Sequence, residues 1–198
     1  MQLADLLDVR LLDSHLCEGL VSVRLHPTAP LRIFNYTAKC QYNRAWDDVT
    51  RQCRGLIVND GNVVVARPWP KFYNYGEHVP TSWSGEARPA ERAEGGGDAL
   101  PHLDLDALVE VTDKLDGSLG ILYPSAPGRW EIATRGSFES EQALRATKIW
   151  RDHYGFIMID PSWTWLFEIV YPENRIVVDY AGMDDLVFLG AAIADYEK

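Results

Sequence analysis

The feature that most constrains this chain is the change of character at residues 84–106, where glycine, alanine, proline and alternating charge replace everything else. Gly95-Gly96-Gly97 within it holds no fixed conformation cheaply, because each glycine loses more backbone freedom on ordering than any other residue. The stretch reads as a flexible surface insertion. An ordered fold must therefore be assembled from the 1–83 segment before it and the 107–198 segment after it.

Both flanking segments consist of short apolar runs separated by turn residues, which predicts antiparallel strands with a few packed helices. Residues 3–20 predict a short N-terminal helix. Two strand-like runs follow at 21–27 and 31–37, separated by Pro27 and Pro30, and 45–53 holds one or two helical turns. A hairpin is expected from 55–58 through Asn59-Asp60-Gly61-Asn62 into 63–68. Residues 71–77 form an aromatic-rich loop.

After the insertion, residues 108–124 read as strand, tight turn, strand, and 130–138 as a strand ending in a turn. Residues 140–157 have helical spacing, with Leu144, Ile149 and Trp150 on the expected inner face. Residues 163–172 and 175–180 read as strands bracketing a Pro-Glu-Asn turn, and 186–194 as a final buried strand. No internal repeat is present. The fold class is α+β, dominated by antiparallel strands.

Composition removes several functional classes. The longest apolar stretch, 186–194, falls far short of the roughly 20 residues of a membrane-spanning helix, and the N-terminus lacks the basic region of a signal peptide. The expected setting is cytoplasmic, with no membrane partner. Three widely spaced cysteines (Cys17, Cys40, Cys53) form no CxxC pair and read as free thiols. The five histidines make no HExxH or HxxxH spacing. A net charge of −10 means that any basic footprint for nucleic acid is local or lies outside this chain.

The residues that carry chemistry centre on Asp113-Lys114-Leu115-Asp116-Gly117-Ser118, placed at the expected bend between two strands. Gly117 lets the backbone approach a ligand, and Asp116 is placed to orient the amine or a metal-bound water. As four characters with free choices, K-x-D-G is weak alone, and a solvated surface Lys–Asp pair is its bland alternative. Its surroundings strengthen it: Arg54-Gly55 opens the first hairpin, and Lys71-Phe72-Tyr73-Asn74 follows it. Downstream come Thr134-Arg135-Gly136-Ser137 and then Phe167-Glu168.

This order resembles the covalent nucleotidyltransferases, which comprise DNA ligases, RNA ligases and mRNA capping enzymes. The flanking residues are similar to the RNA ligase 1 family, typified by the phage enzyme that seals broken tRNA. The resemblance implies an antiparallel-sheet nucleotidyltransferase domain, an ATP-grasp-like ligase adenylation domain. Lys114 is then the nucleophile that becomes linked to AMP. Arg54, Lys71 and Arg135 hold phosphates, with Gly136 beside Arg135, and Glu168 meets the ribose hydroxyls. Asp116 and Gly117 complete the nucleotide site, and Phe72, Tyr73 and Tyr75 are sources of an adenine slot. ATP and Mg²⁺ are the implied cofactors, with no metal ligand assigned. RNA 5′-phosphate and 3′-hydroxyl ends are the implied partners.

The physical logic runs in parallel. Moving AMP from ATP needs an in-line nucleophile, cations for the triphosphate and a carboxylate for the sugar. A lysine must lose its proton to attack. Asp113 and Asp116 oppose that if unpaired, so cationic neighbours are expected to offset them.

Two elements of that family, an E-G-(I/L/V)-V strand and a K-x-K strand, do not follow Glu168 in this sequence. The expectation is a domain truncated at its C-terminus, with an unpaired sheet edge and weak adenylation alone, completed by a C-terminal half or second chain. Two other functions are a DNA ligase or capping-type nucleotidyltransferase, and a non-catalytic nucleotide- or RNA-binding module.

Overall fold

A computed structural model describes residues 1–73 and 111–193. The expected insertion at 84–106, together with Asn74, Tyr75 and the last residues 194–198, lies outside them. The described residues form two four-stranded antiparallel sheets, so the α+β expectation holds.

The first sheet has the order β1-β2-β3-β4, from β1 (Val21–Leu25), β2 (Leu31–Tyr36), β3 (Arg54–Asn59) and β4 (Val64–Ala66). The expected hairpin joins β3 to β4. Asn59 closes it by accepting the Val63 amide at 2.9 Å, and Asn62 takes a left-handed φ of 57°. The second sheet has the order β6-β5-β7-β8, from β5 (Ser118–Ala126), β6 (Arg129–Thr134), β7 (Trp163–Val170) and β8 (Asp185–Ile193).

Strand periodicity of two decides where the cores lie. Ile33, Ile57, Ile121, Tyr123 and Leu166 point between the sheets and form one buried cluster. Their neighbours Phe34, Leu56 and Val58 point outward, to a second core under the N-terminal helices. Leu122, Ile132 and Ile169 point to a third, under α5 (Glu141–Ile149). The layers run helix, sheet, sheet, helix. Full burial of such side chains contributes about 1.5–3 kcal/mol each, which is what holds the sheets face to face.

Several expectations are corrected. Residues 3–20 are two helices, α1 (Leu3–Leu6) and α2 (Val9–Glu18), because the Asp8 carboxylate accepts the Arg10 and Leu11 amides and caps a new start. A short helix that was not expected, α3 (Ala38–Tyr42), is capped by Thr37, whereas the helical turns expected within 45–53 are present as α4 (Asp48–Gln52). Leu144 is 59% exposed, since α5 buries Ala143, Ala146 and Thr147 and runs on through a π turn that buries Trp150. Residues 175–180 are not a strand, and Val177 there is 73% exposed. The last strand, β8, is half-exposed rather than buried, with Phe188 at 52%.

Candidate functional site

Lys114 does not sit at a bend between two strands: residues 111–117 are irregular, and they lead directly into β5. What fixes this lead-in is contact with β7. The Gly117 amide donates to Glu168 Oε1 at 2.8 Å. A Cβ at Gly117 would lie 2.4 Å from the Ile169 carbonyl oxygen and 3.2 Å from Glu168 Cγ, so only glycine lets the chain pass. Glu168 is on the face of β7 shared with Leu166, toward the first sheet.

Arg54 arrives from that first sheet, at the start of β3. The next residue, Gly55, has φ 94°, and a Cβ there would meet Ile121 Cδ1 at 2.4 Å and the Arg135 carbonyl at 3.3 Å. The two sheets touch at this glycine, which brings Arg54 and Arg135 to one seam. Arg135 Nη1 donates to the Tyr36 hydroxyl at 2.8 Å, with its guanidinium 4.8 Å from that ring. Arg54 donates to the Trp69 carbonyl at 3.3 Å and lies 5.0 Å from the centre of the Phe72 ring.

Charge ties these groups together. Burial is the largest influence on Glu168 and holds its carboxyl above the usual range, while the Gly117 amide, Lys114 and Arg54 pull it back. Burial pushes the Arg54 guanidinium down, and the nearby Arg135 adds to this, against Tyr36 and Glu168. Three cations (Lys114, Arg54, Arg135) thus gather around two carboxylates (Glu168, Asp116), within a chain of net charge −10. The excess positive charge suits an anionic ligand.

Asp116 is held by two backbone amides and lies within the electrostatic reach of Lys114. Its Oδ2 accepts the Val177 and Val178 amides at 2.6 and 2.9 Å, which hold its carboxyl below the usual range. Gly136 backs onto the Asn35 side chain. Lys71 lies over the rings of Tyr73 and Trp46, and Tyr73 packs on Trp46 beside Tyr36 and Cys40 as part of a small aromatic core. Arg175 pairs with Asp179 at 2.9 Å. The three thiols are free, with burial pushing Cys40 up to about 11 and Cys53 to about 12.

Tyr36, Trp69 and Tyr180 contact this cluster, and no sequence motif marks them. A second cleft of about 410 Å³ lies around His26, Tyr123 and Glu131. His26 Nδ1 accepts the Thr28 and Ala29 amides, so its proton sits on Nε2, facing Tyr123 and Glu131. Arg129 and Arg151 both bond to Glu131 Oε1. Its cations Arg129, Lys148 and Arg151 are matched by Glu131, Glu139 and Asp152, which reads as a self-satisfied polar network.

A family profile described as RNA ligase matches residues 52–195, well over half of the chain. An RNA ligase of Rhodothermus phage RM378 is 24% identical over 198 aligned residues, covering 85% of this chain and 42% of the phage protein. A protein of Thermovibrio ammonificans, provisionally named RNA ligase, is 27% identical over 137 residues, covering 66% of this chain and 31% of its own length. The chain therefore spans less than half the length of these relatives.

Proposed function

Since this chain belongs to the RNA ligase family, we propose that it carries the lysine-adenylating step of an ATP-dependent RNA ligase with a nucleotidyltransferase fold. The observation that supports this most is the gathering of Lys114, Arg54 and Arg135 around the half-buried Glu168. In this reading the neutral Lys114 amine attacks the α-phosphorus of ATP. An N–P bond forms, the bond to the pyrophosphate oxygen breaks, and the amine proton passes to solvent. Arg54 and Arg135 hold phosphate oxygens through their guanidinium forks. Glu168, with Oε1 engaged by Gly117, offers its other oxygen to ribose hydroxyls, and Phe72 offers a face for adenine. AMP then passes to an RNA 5′-phosphate, and a 3′-hydroxyl displaces it to seal the strand. Lys71 contributes as a nearby cation over its aromatic platform.

The described residues bring no three His, Cys, Asp or Glu side chains together as a metal cage, and the Asp116 carboxylate is engaged by backbone amides. A protein-caged ion does not fit this donor set. Mg²⁺ suits the reaction instead as a counter-ion carried on the triphosphate with most of its waters, and no step here is routed through it. A second reading is favoured by the length of the relatives: this chain reads the nucleotide, and further elements, in a longer chain or a partner, complete the ligation.

The test is incubation with α-labelled ATP and Mg²⁺, followed by denaturing electrophoresis and peptide mass spectrometry, beside Lys114→Ala. The expected result is an acid-labile AMP adduct on Lys114 that the substitution abolishes. An adduct surviving in Lys114→Ala would overturn the assignment. So would the absence of any adduct even when the C-terminal part of a longer relative is supplied.

A further inference from the structure

Among the described residues, the lead-in that carries Lys114 has no strand partner along residues 111–117, and Lys114 itself is exposed. Beyond the Gly117–Glu168 bond, the lead-in's hydrogen bonds among the described residues go to the stretch 174–180, which starts at the last residue of the 3-10 turn Pro172–Asn174 and is irregular from there on. The Tyr180 hydroxyl accepts the Asp116 amide at 2.7 Å. Asp116 returns the contact, taking the Val177 and Val178 amides on one carboxylate oxygen. One residue beyond Gly117, Ser118 Oγ donates to Asn174 Oδ1 at 3.1 Å, and Asn174 Nδ2 donates to the Ile169 carbonyl at 2.9 Å.

These are reciprocal polar bonds, and apolar burial does not replace them. Ile176, Val177 and Val178 are 65%, 73% and 43% exposed, so their side chains do not anchor the segment. A small cleft of about 150 Å³ lies behind it, lined by Asp116, Tyr171, Arg175 and Tyr180. Segment and lead-in therefore order one another. Moving Tyr180 frees the Asp116 amide, two residues from the amine that must meet a phosphorus in line.

We propose that residues 174–180 are a brace for the nucleophile and that Tyr180 is its positioning residue, acting on Lys114 through the Asp116 backbone. The proposal rests on the assignment of Lys114 as the nucleophile. It makes Asp116 a staple for the brace, and it gives a run of exposed aliphatic residues a structural reason to lie against the site. Tyr180 touches no reacting atom in this scheme. Its loss should alter how often the amine is aligned and leave ATP contacts intact.

The experiment compares the chain with Tyr180→Phe, which removes one oxygen, and with Tyr154→Phe as a control. Tyr154 makes a similar bond, to Asp185 at 2.6 Å at the start of β8, and its ring packs on Trp150. Single-turnover labelling of Lys114 is followed across ATP concentrations, and amide hydrogen exchange is followed over residues 114–118. The expected result for Tyr180→Phe is a labelling rate at saturating ATP reduced about 10- to 100-fold, the scale of a misplaced nucleophile. The half-saturating ATP concentration stays within about twofold, and exchange at Asp116 quickens. Tyr154→Phe changes neither readout.

Labelling of Tyr180→Phe at the parent rate overturns the positioning role, whether or not exchange quickens. A loss expressed wholly as weaker ATP binding overturns it too. If the parent chain forms no Lys114 adduct even with the C-terminal part of a longer relative supplied, the nucleophile assignment fails and takes the positioning role with it. Unchanged exchange at Asp116 in Tyr180→Phe removes the brace itself, independently of any chemistry.

Discussion

Gly117→Ala is the sharpest single perturbation of this site. The added methyl would stand 2.4 Å from the Ile169 carbonyl oxygen and 3.2 Å from Glu168 Cγ. The first of these is β7 backbone, held on both sides by β5 and β8, so it cannot yield. A normal carbon–oxygen contact is about 3.3 Å, near the lower end of ordinary van der Waals separation, so the lead-in must retreat by about 1 Å. That retreat breaks the Gly117–Glu168 bond and shifts the Lys114 backbone by a comparable amount. Overpacking of this kind costs about 1–3 kcal/mol of stability, and a nucleophile misplaced by about 1 Å loses on the order of 100-fold in rate.

The comparison that isolates the argument is Gly128→Ala. Gly128 has a φ of 73° and nothing within 4 Å of its would-be Cβ, so it carries backbone strain without a clash. Thermal melting should show both variants folded, each lowered by about 2–4 °C per kcal/mol lost. Labelling of Lys114 by α-labelled ATP should collapse in Gly117→Ala and persist in Gly128→Ala. A Gly117→Ala chain that labels at the parent rate would refute the claim that this close approach positions the lysine.

Two other outcomes follow from the electrostatics of the seam. The Glu168 carboxyl is held above its ordinary range by burial, so its contribution to stability is full below the unfolded value and is lost as pH rises through the raised value. Glu168→Gln, which keeps the oxygen that accepts the Gly117 amide, should therefore match or exceed the parent melting temperature at pH 7–8 and lose that advantage near pH 4, while Lys114 labelling falls about 10-fold or more through loss of a polar contact in the transition state. Arg54→Lys should not rescue Arg54→Ala in the same labelling assay, because an ammonium cannot reproduce a planar fork stacked on Phe72 and bonded to the Trp69 carbonyl; full rescue, read as the parent labelling rate, would mean that charge alone matters.

The central strands were legible in the sequence because they alternate between two apolar faces, as in β5, where Ile121 and Tyr123 enter one core and Leu122 another. Residues 175–180 misled for the same reason. Ile176, Val177 and Val178 have the β-branched character of a strand, but no neighbouring strand takes them, and Asp116 takes their amides instead. The break at Leu7-Asp8 was hidden because the apolar pattern continues across it, and only the capping carboxylate reveals the new helix. Leu144 misled by one position: the buried stripe of α5 runs through Ala143, Ala146, Thr147 and Trp150, at the expected helical spacing but shifted from Leu144. At the site, Lys114, Arg54, Arg135 and Glu168 were legible because each lies inside a short motif. Tyr36 and Tyr180 were not, since their partners lie 99 and 64 residues away along the chain and local spacing carries no trace of them.

The two glycines with the closest approaches define how the site is built. Gly55 lets the first sheet touch Ile121 and the Arg135 carbonyl, and Gly117 lets the lead-in that carries Lys114 lie against β7. Between them are groups from both sheets: Arg54 and Tyr36 from the first, Lys114, Arg135 and Glu168 from the second or its connections. Each sheet supplies part of the positive charge, and Arg135 adds its repulsion to the burial that pushes the Arg54 guanidinium down. An anion drawn into the seam would relieve that repulsion and join the sheets, so nucleotide binding and the packing of the two sheets should be coupled in free energy. The excess positive charge of the seam is what would make it selective for a polyphosphate in an otherwise acidic chain.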